Sequence, residues 1–140
     1  MSNVLAVCEQ RAGALRKISY EVVTGARRIA DASGGGVDAL VLSAGPVTGA
    51  DQLRRYGADT VVTLTNMGFA AYAAEGGAQA IAERAKAGGY GAVVFAAGAQ
   101  GKDLAPRVAA KLGVPLAADV TEVAIEGGAL IGRASCRERV

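Results

Sequence analysis

The sequence predicts a single α/β domain: a doubly wound parallel sheet with helices on both faces, a three-layer α/β/α arrangement. Two observations carry this. Short, near-continuous apolar runs rich in valine alternate with longer segments whose apolar residues recur at helical spacing. The composition is 51% hydrophobic but only 4% aromatic, with 20 glycines in 140 residues. A core of Ala, Val, Leu and Ile suits close helix-on-sheet packing, and strands buried on both faces lose polar alternation.

The elements follow in chain order. Residues 3–8 (NVLAVC) read as the first strand. Residues 11–14 read as a polar turn, and a helix spans about 17–33, with Lys17 or Ser19 near its start. Ile18, Val22, Ala26, Ile29 and Ala30 form its apolar face, and the Gly34-Gly-Gly36 run ends it. Residues 37–43 are the second strand. A short helix is expected over 48–56, ending at Gly57, and the third strand over 59–65, followed by a loop at 66–68. Residues 72–87 read as a helix with Ala78, Ile81, Ala82 and Ala85 on its packed side. Gly76 and Gly77 cost about 1 kcal/mol each there against alanine, and mark a potential break.

The fourth strand is expected over 90–97, and a helix over 102–112 with Leu104, Val108 and Leu112 on one face. Pro106 is tolerated only near a helix start, which fixes that start close to Lys102 and puts Asp103 in the first turn, where its charge suits the dipole. Lys111, Gly113 and Pro115 stop the helix, and another strand follows. The expected order is β-α-β-α-β-α-β-α-β with a truncated hairpin last, a Rossmann-like sheet. Its open final edge carries an aggregation risk.

The chemistry is bounded mostly by exclusion. The chain has no histidine and two cysteines, which removes common zinc and haem sites and histidine acid–base catalysis. There is no apolar run of membrane-spanning length, no export signal and no basic stripe. The expectation is a cytoplasmic chain with no membrane insertion and no nucleic-acid partner. The first strand–helix turn, residues 9–16, has one glycine where a dinucleotide fingerprint needs three, and there is no Walker A loop. Cys8 reads as a buried structural cysteine. Glu9 and Asp103 approach one another along the sheet edge as a carboxylate pair, or serve as a cap and a surface charge. Arg27-Arg28 and Arg54-Arg55 read as solvated pairs. No catalytic, cofactor or metal residues are assigned. The loop at 98–103 is the best ligand or partner candidate, through Gly98, Gln100, Gly101, Lys102 and Asp103. Packing or partner contact is favoured there over a nucleotide.

The pattern breaks after residue 130. The ten residues IGRASCRERV have neither strand nor helix periodicity, and ATC GGA AGA GCG TCG TGT AGG GAA AGA GTG, a short-read sequencing adapter, encodes them in order. The reading is a domain over residues 1–130 and an adapter-derived segment over 131–140. Without Arg133, Arg137, Arg139 and Glu138 the net charge of +2 becomes zero.

Two stretches carry a family resemblance. VLAVCEQRAGALRKISYEVVTGARRIAD resembles the opening of electron-transfer flavoprotein alpha subunits, and AAGAQGKDLAPRVAAKLGVPLAADVTEV resembles their strand–helix–strand with its K/R-D-L-A-P-R core, here residues 102–107. The resemblance covers about residues 3–130. It implies a non-catalytic scaffold domain of an alpha subunit that pairs with a beta subunit as a heterodimer. It also implies FAD bound mainly by a C-terminal domain not represented here, with electrons passing from acyl-CoA and related dehydrogenases to a quinone oxidoreductase. The alternative from the fold is a free-standing adenine-nucleotide module of the universal-stress type, with the adenine near the first strand end and the loop at 98–103.

Overall fold

The computed structural model describes residues 3–69, 71–96, 98–113, 116–117 and 122–124. The segment read as adapter-derived, residues 131–140, lies outside them. β1 (Val4–Val7), β4 (Val37–Ser43), β5 (Thr60–Thr65) and β6 (Ala92–Val94) form a parallel sheet in the order β5-β4-β1-β6. Between β1 and β4 lie a small hairpin, β2 (Gln10–Arg11) and β3 (Ala14–Leu15), and the helix α1 (Ile18–Ser33). α2 (Ala74–Gly88) precedes β6 and α3 (Ala99–Leu112) follows it.

The sheet continues past β6 as β8 (Glu122–Ala124) and then β7 (Leu116–Ala117), both joined in antiparallel fashion. The sequence reading had continued the parallel pattern through this region. Only residues 118–121 connect β7 to β8, and a parallel return needs a dozen residues or more.

Strand side chains alternate between two cores. Val4, Ala6, Cys8, Val37, Ala39 and Val41 meet Val22, Val23, Ala26 and Ala30 of α1. Leu5, Val7, Leu40 and Val93 meet Ala78, Ile81 and Ala85 of α2 and Leu104, Ala105 and Val108 of α3. This division is the three-layer arrangement. β1 leads through α1 to one side of the sheet, and β5 leads through α2 across to the other, so right-handed crossovers place the helices on opposite faces.

Several boundaries differ from the sequence reading, each for a local reason. The polar turn at 11–14 is the β2–β3 hairpin, whose central residues Ala12 and Gly13 both have positive φ, at 52° and 81°. The short helix is a 3₁₀ helix, Ala50–Tyr56, anchored by the fully buried Leu53, and a second 3₁₀ turn spans Met67–Phe69. α2 runs unbroken through Gly76 and Gly77. Gly77 is buried in the seam with α3, where an added Cβ would already touch Leu42 and Leu104 at 3.5 and 3.6 Å. β6 is three residues long, not eight.

α3 begins at Ala99, so residues 98–103 are its cap and opening turns rather than a loop, and Asp103 lies beyond the first turn. Pro106 sits in the helix interior, at a propensity cost of about 3 kcal/mol. Burial of Leu104, Ala105, Val108 and Ala109 on the sheet outweighs it.

Arg27 is also not simply solvated surface. Its guanidinium donates to the carbonyls of Gly35 (3.0 Å) and Gly57 (3.1 Å) and to the carboxylates of Asp31 (3.0 Å) and Asp59 (2.9 Å). Asp59 Oδ2 also accepts from the Val37 amide at 2.8 Å. One cation thereby ties α1 to the loops that enter β4 and β5.

The Val37 amide, followed by the Arg27 guanidinium, holds the Asp59 carboxyl below its usual range. A depressed folded pKa means that its stabilisation is present above the unfolded value of about 3.9 and is lost as pH falls through the folded value. Asp59→Asn should therefore be less stable than the wild type at pH 7, with the gap closing towards pH 3. Urea unfolding across that range checks this, and a gap constant with pH would contradict it.

Candidate functional site

The strand order reverses between β1 and β6, and open α/β sheets place their crevices at the carboxyl ends of such strands. A cleft of about 400 Å³ lies there. Glu9 comes to it from the segment after β1, Gln10 from β2, Phe69 and Tyr72 from the link into α2, and Gln100 and Gly101 from the start of α3.

The β1 end is held rigidly by its own backbone. The buried Ser19 hydroxyl accepts from the Glu9 amide at 2.8 Å and donates to the Glu9 carbonyl at 3.1 Å. The Arg16 amide donates to the same carbonyl at 2.8 Å. Gln10 Oε1 accepts from the Gly13 amide at 3.0 Å, while its Nε2 donates to the Leu42 carbonyl at 3.2 Å. The Leu15 amide donates to the Thr48 carbonyl and the Thr48 amide to the Gly13 carbonyl, at 2.9 and 2.8 Å. The hairpin is thus stitched to α1, to β4 and to the following loop.

Glu9 is only 6% exposed, and its Oε1 lies 3.3 Å from Arg16 Nη1. Burial raises the pKa of its carboxyl and the Arg16 charge partly offsets this. The Cys8 thiol donates to the Ala6 carbonyl and is pushed up to about 12, chiefly by burial. The Tyr72 hydroxyl, which donates to Asp103, is also pushed up to about 12 by burial and by that carboxylate. Asp103 in turn is held low by Tyr72 and Arg107.

The five residues singled out in the sequence are separated by the helix. Gln100 and Gly101 line the cleft. Gly98 is the residue before the first turn, in an extended conformation. Lys102 is exposed and is not among the cleft-lining residues. Asp103 faces Tyr72 and Arg107 rather than Glu9. Glu9 and Asp103 therefore act as separate groups: one pairs with Arg16, and the other ties α3 to the link before α2. Gln10, Phe69 and Tyr72 were not anticipated, because nothing in their local spacing marks residues that meet only in the tertiary fold. Among the described residues no cluster of three His, Cys, Asp or Glu side chains is placed to hold a metal ion.

A sequence-family model described as the electron transfer flavoprotein domain matches residues 4–135. The chain belongs to the electron transfer flavoprotein domain family. It is similar to an electron transfer flavoprotein subunit alpha of Thermoanaerobacterium thermosaccharolyticum, at 35% identity over 88% of this chain and 37% of the relative. It is likewise similar to protein FixB of Clostridium saccharobutylicum, at 36% identity over 89% of this chain and 37% of the relative. A subunit alpha from Bacillus subtilis is 30% identical over 92% of this chain and 39% of its own length. The chain thus spans less than two fifths of the relatives it matches.

The first strand–helix turn at this cleft lacks the open, glycine-rich amide nest by which a dinucleotide pyrophosphate is usually held. A pyrophosphate needs free amides at a glycine-rich strand–helix turn. Here the amides of Glu9, Gly13, Leu15 and Arg16 are already bonded to Ser19, Gln10, Thr48 and Glu9.

With a pKa of about 12, the Cys8 thiol is almost entirely protonated at pH 8. In a Cys136→Ser background, iodoacetamide should modify native Cys8 roughly a thousandfold more slowly than the urea-unfolded chain. Comparable rates, read by mass spectrometry, would contradict the buried assignment.

Proposed function

We propose that this domain is the non-catalytic scaffold of an electron transfer flavoprotein alpha subunit. In the longer protein it pairs with a beta subunit, and FAD is held mainly by a C-terminal alpha-subunit domain. The complex carries electrons from acyl-CoA and related dehydrogenases to a quinone oxidoreductase in the bacterial cytoplasm. Support comes from the family match over residues 4–135 and the alpha-subunit relatives. The observation that carries the scaffold role is the carboxyl edge of the sheet, where the hairpin and the Ser19 hydroxyl consume the amides a cofactor phosphate would use. Gly98, Gln100, Gly101, Lys102 and Asp103 serve to seat and cap α3 rather than to bind a ligand. No described helix is long and apolar enough to cross a membrane.

The same proposal keeps the domain at residues 1–130, with residues 131–140 derived from adapter sequence. The family match reaches residue 135, and the codons of the gene over 131–140 decide the point.

Expression of the uninterrupted gene with an adjoining beta-subunit frame tests the proposal. A one-to-one complex with bound flavin is expected, reducible by an acyl-CoA dehydrogenase and its substrate, while the 140-residue chain alone leaves the fluorescence of added FAD unchanged. Stoichiometric FAD binding by the chain alone, or a full-length product that takes up no beta subunit, would overturn it.

A further inference from the structure

We draw no further inference here: the strongest candidate, the apolar cleft of about 400 Å³ at the carboxyl edge between the β2–β3 hairpin and the start of α3, belongs to the site already described, where its buried carboxylate, Glu9, is already paired with Arg16 and nothing in the structure shows what would occupy it.

Discussion

Gly101 stands so close to the end of β6 that a Cβ added to it would lie 1.8 Å from the Ala96 carbonyl oxygen. No side chain can occupy that space, and only glycine lets the helix come down onto the strand there. Much of the second core follows from this seating. It brings Leu104, Ala105 and Val108 onto the sheet and sets α2 against α3, with Gly77 of α2 meeting Leu104. On the outside of the same seam, Arg107 and Lys111 pair with Glu75, and Arg107 with Asp103. These exposed ion pairs orient the helices more than they stabilise them.

The other half of the carboxyl edge is set by a different device. The β2–β3 hairpin fills the turn that many parallel α/β proteins leave open for phosphate, and Ser19, Gln10 and Thr48 accept from its Glu9, Gly13 and Leu15 amides. The cleft between hairpin and helix is walled by apolar groups such as Phe69, Phe95 and Leu104, and its buried Glu9 is paired with Arg16. That is the chemistry of a domain whose edges are spent on holding itself together. It fits a family whose name describes electron transfer, in a chain that spans less than two fifths of the relatives it matches.

The layer structure was legible in the sequence because periodicity reports burial. The runs at 37–43 and 59–65 and the faces of α1 and α2 emerged where expected. What was not legible depended on contacts distant in the chain. Pro106 pointed to a helix start near Lys102, but the start is Ala99, because Gly101 must meet Ala96 and the buried face absorbs the cost of the proline. Ala12-Gly13 is a weak hairpin signal beside Asn-Gly, so the hairpin passed for a turn. Arg27 read as a surface charge because its partners at 35, 57 and 59 converge only when β4 and β5 lie side by side. One of the two stretches that carry the family resemblance holds residues 102–107, and its helix is one of the two that cover the second core.

The seating of α3 is most directly tested by comparing Gly101→Ala with Gly98→Ala in urea unfolding. A Cβ at residue 98 would meet only the tip of Ile18 at 3.7 Å, an ordinary contact, on a backbone with negative φ. Gly98→Ala should therefore change stability by less than about 1 kcal/mol, while Gly101→Ala should cost about 3 kcal/mol or more, because backbone rather than a flexible side chain must move. Equal stabilities for the two variants would contradict the claim that this single close approach organises the fold.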